Sequence, residues 1–396
     1  MDVGGTVAPG FEAVRRAFAD AQAGDPGGAQ LCVYRDGEPV VDLWTGGHLE
    51  GGRPFTGESL SVLMSCTKGM AATVAHRLAQ RGLIAFDAPV VRYWPAFAAA
   101  GKADIPVSDL LAHRAGLAAF DPESHIGPAE MLDWNASTGA LAAMAPLWPP
   151  GTAFAYHAVT FGYLVGEVVR RVTGRSIGTV FAEEIAGPLG LELWIGLPQA
   201  EEPRVAPQFG GAAAMTPDQH RAMLTGLGLD PDARIVKAML GAPADAEATN
   251  RFMNSRAAHA GEIPAGNGVG NARSLARMYA ATIGEVDGVR LLEPLGVDRA
   301  RTPQTDGLTG PAPLCRLPNE HPLRFGLGYE LHRTGSPMLS PGSFGHTGAG
   351  GRLGFADPES GIAVGYVCAN MAWDYPRGPD ARWTPWLDAL RRLAAA

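Results

Sequence analysis

The strand signals of this chain lie at its two ends, and the long middle is patterned as helices. Near the N-terminus, after an amphipathic helix around residues 11–23, two β-prone runs meet at Asp36-Gly37, a dipeptide typical of a tight hairpin. Strand patterns return in FGLGYELHR, in FGHTG and in the two apolar runs flanking DPESG, before a last helix, RWTPWLDALRRLAAA. From Ser65 to about residue 265, apolar residues recur three and four positions apart. The sequence therefore predicts one sheet assembled from both ends of the chain, plus an inserted helical domain.

Composition narrows the class of ligand. The 396 residues are 46% hydrophobic and 18% charged, which allows a large core, and the net charge of -8 comes without a basic run. These values argue against nucleic acid or an anionic membrane surface as a partner and favour a small, neutral or modestly charged ligand. The N-terminus lacks the pattern of a secretory leader, and no stretch of about eighteen apolar residues occurs, so we expect a cytoplasmic location.

The cysteines give no framework for a disulfide or a metal. Cys32, Cys66, Cys315 and Cys368 are widely spaced and form no CxxC pair. Reduced, partly buried thiols are therefore expected rather than disulfides or a zinc site. No pattern in the chain predicts a metal or a cofactor, and the oligomeric state is left open.

The stretch LMSCTKGM places Ser65 and Lys68 three positions apart at the predicted start of a helix. Only three of the 32 basic residues are lysines, at positions 68, 102 and 237, and arginine cannot lose its proton as a desolvated lysine can. A helix that begins at Ser65 would bring both side chains to one face, with the hydroxyl at the positive end of the helix dipole. A neutral Lys68 could then take the proton of Ser65, and the Ser65 N–H could stabilise an oxyanion.

A purely structural alternative exists for this stretch. Ser65 could be an N-cap, and Lys68 could be an exposed residue of the first turn. The apolar residues LSVLMS before the turn and the unfavourable placement of a lysine at a helix N-terminus favour the catalytic interpretation. Cys66 would face away from Ser65 on a helix, so we expect it to serve packing.

A second candidate nucleophile, Ser176 in GRSIG, matches the GxSxG nucleophile elbow. That motif requires a sharp turn from a strand to a helix. Here it follows the helical pattern LVGEVVRRVT, so Gly174 is predicted to end one helix and Ser176 to cap the next. Ser176 is therefore rejected as a nucleophile.

Four short motifs occur in the order and approximate spacing of one known superfamily: SCTK, LLAHRAGL at 110–117, PPGTAFAYHAVTFGYLVGEVV at 149–169 and FGHTGAGG at 344–351. In these motifs the chain resembles serine β-lactamase-like proteins, closest to family VIII carboxylesterases, class C β-lactamases and D-alanyl-D-alanine carboxypeptidases. The resemblance implies an α/β fold of the α+β type, with an antiparallel sheet flanked by helices and an inserted, mostly helical domain. We place the sheet domain at residues 1–64 and 268–396 and the helical domain at residues 65–267, with the active site in the cleft between them.

The resemblance also implies roles for particular residues. Ser65 looks like the nucleophile and Lys68 like its proton acceptor, while Tyr156 resembles the tyrosine of the Y-x-N motif, which relays protons to the leaving group. HTGA lies where the superfamily has K-T-G-[ST], so the Ala349 N–H is expected to be the second oxyanion donor beside that of Ser65. As an alternative, Tyr156 could be only a packed aromatic residue.

Substrate contacts are expected from His346, Thr347, Gly348 and His157 on the same grounds. His346 could instead be a hydrogen-bonded strand residue with no part in catalysis. His113, in LLAHRAGL, is predicted to be structural, binding the backbone in a turn.

Two departures from the β-lactamase pattern bear on the substrate. His346 replaces the lysine of K-T-G and removes a permanent cation that would attract a carboxylate. Ala158 replaces the asparagine of Y-x-N and removes an amide that would bind a peptide-like side chain. Both changes disfavour penicillins and peptidoglycan stems, and both are compatible with neutral acyl esters.

The leading hypothesis is therefore a serine carboxylesterase that hydrolyses short to medium acyl esters through an acyl-enzyme. The alternatives are an acyltransferase that passes the acyl group to an alcohol or amine, and a β-lactamase or D-Ala-D-Ala carboxypeptidase. A non-enzyme alternative is a sensor module that is acylated and not turned over.

Overall fold

The computed structural model describes residues 2–47, 54–241, 245–373 and 378–394. The strands are β1 (Val3–Val7), β2 (Ala29–Arg35), β3 (Glu38–Thr45), β4 (Ser61–Val62), β5 (Leu193–Trp194), β6 (Val269–Gly270), β7 (Glu330–Leu331), β8 (Phe344–Gly348), β9 (Arg352–Asp357) and β10 (Ile362–Cys368). The helices are α1 (Glu12–Gln22), α2 (Thr67–Gln80), α3 (Val107–Leu111), α4 (Trp134–Ala143), α5 (Thr160–Thr173), α6 (Ile177–Phe181), α7 (Gly187–Leu189), α8 (Pro217–Gly226), α9 (Arg234–Leu240), α10 (Ala246–Met253), α11 (Arg256–Ala260), α12 (Ala272–Ile283), α13 (Pro294–Arg301) and α14 (Thr384–Ala394).

The main sheet joins the two ends of the chain, as predicted. Its seven strands are all antiparallel and follow the order β1-β3-β2-β10-β9-β8-β7. The two halves meet where β2 pairs with β10, with Val33 opposite Val364. The predicted hairpin is present, and both turn residues, Asp36 and Gly37, have positive φ, which is why this dipeptide marks such turns.

Helices cover both faces of the sheet. Because side chains alternate along a strand, Leu31 and Val33 of β2 pack under α1 and α14, while Cys32 and Tyr34 face the other way. On that second face α12 lies so close to β10 that a Cβ on Gly365 would be 2.2 Å from the Ala272 carbonyl oxygen. Glycine at this position therefore allows the helix to approach the sheet.

The central helix α2 continues the packing on the far side of α12. A Cβ on Gly69 of α2 would lie 2.1 Å from the Tyr279 hydroxyl of α12, so glycine is again needed for the close approach. Helix α2 also packs on α5, and both helices are buried along most of their length. The sheet, α12 and α2 thus form successive layers, and α2 begins next to the end of β8.

The fold differs from the sequence prediction in two strands. Strand β1 was not predicted, because two adjacent glycines interrupt its short sequence VGGTV; a Cβ on Gly4 would lie 2.5 Å from the Trp44 ring, so glycine is required there. The run FGLGYELHR forms only the two-residue strand β7. The middle of the chain is helical as predicted, apart from the two-residue strand β5, which joins β4 and β6 in a small sheet of order β4-β6-β5.

The predicted division into residues 1–64 with 268–396 and residues 65–267 stays a prediction. Within the described part of the chain, no helix has both the length and the apolar character that a membrane span needs. The cytoplasmic location also stays a prediction. The predicted free thiols are confirmed, with Cys32, Cys66 and Cys368 buried and Cys315 exposed.

Candidate active site

Ser65 lies in a single 3₁₀ turn, Met64–Cys66, and α2 begins at Thr67, so the predicted helix start at Ser65 is corrected. The turn arises because Met64 has φ +50°, a left-handed conformation that is strained for a non-glycine residue. Two hydrogen bonds hold it: the Thr67 hydroxyl donates to the Met64 carbonyl at 2.6 Å, and the Gly268 N–H donates to Thr67 Oγ1 at 2.9 Å. This geometry leaves Met64 and Ser65 partly exposed between the buried residues Leu63 and Cys66.

Lys68 is completely buried beside Ser65. Its Nζ lies 3.2 Å from Ser65 Oγ and donates to the carbonyl oxygens of Ala158 at 2.7 Å and Ala265 at 2.8 Å. Burial holds the pKa of Lys68 well below its usual range. The alternative of an exposed lysine is therefore wrong, and so is the N-cap alternative for Ser65, because the N-cap residue of α2 is Cys66.

The three partners of Nζ determine where its lone pair points. A neutral amine has two hydrogens, and the carbonyls of Ala158 and Ala265 can only accept, so they take both hydrogens. The lone pair then faces the Ser65 hydroxyl, which is the arrangement a general base requires.

Lys102 provides a comparison within the same chain. It is equally buried, and its Nζ donates to three carbonyls, those of Ala99 at 2.7 Å, Ala142 at 3.0 Å and Met144 at 2.5 Å. Three acceptors match the three hydrogens of an ammonium. Burial lowers the pKa of Lys102 to about 8, but no hydroxyl occupies the place that Ser65 takes at Lys68. Lys102 is thus a structural lysine, and burial alone does not make a base.

Tyr156 lies over the amine. Lys68 Nζ is 4.6 Å from the centre of the Tyr156 ring, and the ring stacks on Phe325 with centroids 5.8 Å apart. Burial raises the pKa of Tyr156 above its usual value, although a hydrogen bond with the Ser65 side chain opposes the shift. Burial therefore favours a phenol over a phenolate and a neutral amine over an ammonium at this site.

Strand β8 brings the predicted second oxyanion donor to the same place. A Cβ on Gly348 would lie 2.5 Å from the Leu63 carbonyl oxygen, so this glycine lets the strand end approach the turn that carries Ser65. Cys66 packs against the same strand, as predicted, and its thiol donates to the His346 carbonyl at 3.2 Å. Ala349 follows directly and is exposed.

A cavity of about 460 Å³ opens beside the turn that carries Ser65, and Met64 and Ala349 both line it. The other lining residues are mostly small or apolar, namely Gly211, Ala212, Asp245, Ala246, Thr249, Asn250, Gly350, Met371, Ala372 and Trp373. A short acyl ester fits a space of this size and character.

The prediction that His157 contacts substrate is corrected. Its side chain is fully buried, and both ring nitrogens are bonded to the backbone: Nδ1 lies 2.7 Å from the Ala155 carbonyl oxygen, and Nε2 accepts from the Leu117 N–H at 3.3 Å. His113 is structural as predicted, since its Nδ1 accepts the His157 backbone N–H at 3.1 Å. Together the two imidazoles hold the backbone next to Tyr156.

His346 is also buried, with 2% of its surface exposed. Nδ1 donates to the Thr347 carbonyl at 2.7 Å, and burial lowers the pKa of the ring to about 4, so His346 is neutral at physiological pH. This agrees with the expectation that the site lacks the permanent cation of the K-T-G lysine. The part that His346, Thr347 and Gly348 play in substrate binding stays a prediction.

One buried charge of the site, Glu330, was missed by the sequence analysis. It is 1% exposed and accepts hydrogen bonds from the Thr347 N–H at 3.0 Å, from Thr347 Oγ1 at 2.6 Å and from Arg333 Nε at 2.9 Å. The signal that could have found it is an acidic residue in the otherwise apolar run FGLGYEL.

Ser176 lies outside this constellation, as predicted. It caps α6 by accepting the Thr179 N–H at 3.1 Å, and its hydroxyl donates to Glu262 at 2.6 Å. Helix α5 before it ends at Gly174, which has φ +71°. Among the described residues, no group of three or more His, Cys, Asp or Glu side chains is arranged to hold a metal ion.

Comparison with known proteins agrees with this fold. The Beta-lactamase family profile matches residues 14–384. The chain is 39% identical over 380 residues to the Esterase/beta-lactamase LipL of Mycobacterium tuberculosis, covering 92% of this chain and 82% of that protein. A family VIII carboxylesterase crystal structure is 34% identical, with a TM-score of 0.82 over 99% of this chain and 100% of that one. EstA from Arthrobacter nitroguajacolicus Rue61a is 31% identical, with a TM-score of 0.82 over 100% and 99% of the two chains. The chain therefore belongs to the beta-lactamase family.

Proposed function

We propose that this protein is a serine carboxylesterase that hydrolyses short to medium acyl esters through an acyl-enzyme on Ser65. The observation that carries the proposal is the hydrogen bonding of Lys68. Two backbone carbonyls take both hydrogens of its neutral amine and leave the lone pair to the Ser65 hydroxyl, 3.2 Å away. The similarity to LipL and to a family VIII carboxylesterase supports the same activity.

In the acylation step, Lys68 takes the proton of Ser65 while Oγ attacks the ester carbonyl carbon. The negative charge moves to the carbonyl oxygen, which the N–H groups of Ser65 and Ala349 would stabilise. When the tetrahedral intermediate collapses, the bond to the alcohol oxygen breaks and that oxygen takes the Tyr156 proton. Tyr156 then recovers a proton from Lys68, and the amine is neutral again.

Deacylation reverses these roles with water. Water loses a proton to the Lys68 and Tyr156 pair and attacks the acyl carbon, after which Ser65 leaves and regains its proton. The resting protonation states, a phenol and a neutral amine, suit both halves of the cycle, because each half begins by removing a proton.

A neutral ester is the substrate class that the charges favour. His346 carries no charge at physiological pH, and Ala158 offers only its carbonyl, which Lys68 already occupies. Among the described residues that line the 460 Å³ cavity, no side chain is cationic. Thr347 and Gly348 are proposed to contact the substrate from the end of β8, while His346 would contribute as a neutral residue behind them.

The test is labelling with a fluorophosphonate, followed by intact-mass measurement and peptide mapping. One adduct per chain on Ser65 is expected, together with steady turnover of p-nitrophenyl butyrate well beyond one equivalent. The Ser65→Ala variant should fold normally and lose both. An adduct on another serine would overturn the assignment of the nucleophile, and a single burst without turnover would favour the sensor alternative.

Hydrolysis of β-lactams is a second candidate function, because the relative LipL is an esterase/beta-lactamase by name. Rates for nitrocefin and p-nitrophenyl butyrate, measured on the same preparation, decide between them. A higher kcat/KM for nitrocefin would overturn the substrate argument from His346 and Ala158. Adding an alcohol acceptor and measuring the ester formed tests acyl transfer in the same assay.

A further inference from the structure

Glu330 is a buried carboxylate whose contacts reach the end of β8. Thr347 donates both its N–H and its hydroxyl to Glu330 Oε2, and Arg333 donates to Oε1. A carboxylate without these partners would be costly to bury, so the cluster is built around the charge. Burial alone would raise the pKa of Glu330, but the charge of Arg333 and the Thr347 hydrogen bonds outweigh it and hold the pKa below the usual range.

These hydrogen bonds hold Thr347 in place, two positions before Ala349, whose N–H is the proposed oxyanion donor. Thr347 precedes Gly348, which touches the turn that carries Ser65, and Ala349 follows. A displacement of Thr347 along the strand would move the Ala349 N–H relative to Ser65. Because oxyanion stabilisation depends on donor positions to a fraction of an ångström, Glu330 has a geometric effect on the site without touching a substrate.

The Glu330 carboxylate also acts electrostatically on Lys68 and Tyr156, the two residues proposed to carry protons. Glu330 contacts Arg333 and lies 3.9 Å from His346 Nδ1, and the His346 ring lies 6.0 Å from the Tyr156 ring that covers the Lys68 amine. Its charge also acts on Lys68, Tyr156, Cys66 and Tyr279. Burial keeps the Cys66 thiol and the Tyr279 phenol neutral, and burial keeps His346 neutral as well. Glu330 is therefore the negative charge within this group, and it opposes deprotonation of both Lys68 and Tyr156.

We propose that Glu330 is a positioning residue of the active site. It anchors the end of β8 through Thr347, and its negative charge favours the protonated form of Lys68. The proposal rests on the proposed esterase function. It assigns to Glu330 two separable effects, one on the position of the Ala349 donor and one on the pH at which Lys68 becomes a base.

Three variants separate these effects: Glu330→Gln, Glu330→Asp and Thr347→Val. Activity requires neutral Lys68, so kcat/KM rises with pH as that amine loses its proton. Removing the anion in Glu330→Gln lowers the pKa of Lys68, and the low-pH limb should move to lower pH by roughly 0.5 to 1 unit. The plateau of kcat/KM should fall roughly 10- to 100-fold, because the anchor of Thr347 is weakened.

The two other variants keep the charge. In Glu330→Asp the carboxylate is shorter, and in Thr347→Val one hydrogen bond is lost, so both should lower the plateau while the low-pH limb stays at its wild-type position. A purely structural role for Glu330 would lower the plateau in all three variants and move no limb. An unmoved limb in Glu330→Gln, or an equal shift in Thr347→Val, would overturn the proposal.

Two control variants separate a folding defect from a change in the catalytic pH profile. If Glu330→Gln, which removes the carboxylate partner of Arg333, does not fold, the double variant Glu330→Gln/Arg333→Met removes both buried charges and should still shift the low-pH limb to lower pH, since the charge of Glu330 acts on the Lys68 amine. Ser65→Ala is measured alongside. If Ser65→Ala turns over substrate like wild type, the esterase assignment fails. If Ser65→Ala is inactive but the low-pH limb of kcat/KM moves in neither Glu330→Gln nor Glu330→Gln/Arg333→Met, only the role of Glu330 fails.

Discussion

Replacing Lys68 by methionine removes the lone pair and keeps most of the side-chain volume. Loss of a general base reduces a rate by about 10²- to 10⁴-fold, which corresponds to about 3 to 5.5 kcal/mol of activation free energy. The variant also leaves the carbonyls of Ala158 and Ala265 without a donor, at about 1–3 kcal/mol of folding free energy for each. The variant is therefore expected to be both less stable and nearly inactive.

Lys102→Met is the matched control, because it removes an equally buried lysine. Three carbonyls lose their donor there, so the loss of folding free energy should be at least as large as in Lys68→Met. No nucleophile adjoins Lys102, and its variant should keep wild-type kcat/KM per folded molecule. Destabilisation and loss of catalysis are thereby separated.

The assay is hydrolysis of p-nitrophenyl butyrate at low temperature, with the folded fraction measured by circular dichroism and urea denaturation. The account predicts a loss of at least 10²-fold for Lys68→Met and of less than about threefold for Lys102→Met. A Lys68→Met variant within tenfold of wild type would refute the assignment of Lys68 as the base. An equal loss in both variants would refute the argument from hydrogen-bond partners.

Three further outcomes are expected from the same assay. Lys68→Arg should be nearly as inactive as Lys68→Met, since a guanidinium keeps its proton, and near-normal kcat/KM would remove Lys68 from the mechanism. Ser176→Ala should lower stability by about 0.5–2 kcal/mol through the lost cap of α6 and leave kcat/KM unchanged, whereas a large rate loss would revive Ser176 as the nucleophile. His346→Gln should leave the pH profile of kcat/KM between about pH 5 and 8 unchanged, because the pKa of His346 is about 4 and its ring is already neutral there. Loss of a limb of the profile in that range would show that His346 titrates in catalysis.

Local signals account for the parts of this protein that could be predicted from its sequence. Asp36-Gly37 marks the hairpin because the positive φ that its turn needs is a property of two adjacent residues. Gly174 marks the end of one helix by its positive φ, and Ser176 marks the start of the next because its side chain accepts a hydrogen bond from the first turn. Ser65 and Lys68 could be paired because one helical turn fixes their separation.

The features that were missed depend on contacts between distant parts of the chain. The acceptors that orient the Lys68 amine are backbone carbonyls 90 and 197 residues away, and a carbonyl leaves no mark on a sequence. Glu330 acquires its role from Thr347 on the neighbouring strand. His157 was assigned to the substrate from its place in a motif, although the fold turns it into the core.

The small number of lysines allows a direct measurement of the central claim. Protein labelled with ¹³C,¹⁵N-lysine contains three labelled side chains, Lys68, Lys102 and Lys237, whose Cε and Nζ signals can be followed by NMR from about pH 5 to 11 and assigned with the two methionine variants. The account predicts that the Lys68 signal is that of a neutral amine at pH 7, with a pKa well below its usual value, and that Lys102 titrates near its pKa of about 8. A Lys68 signal that remains that of an ammonium at the pH of full activity would contradict it.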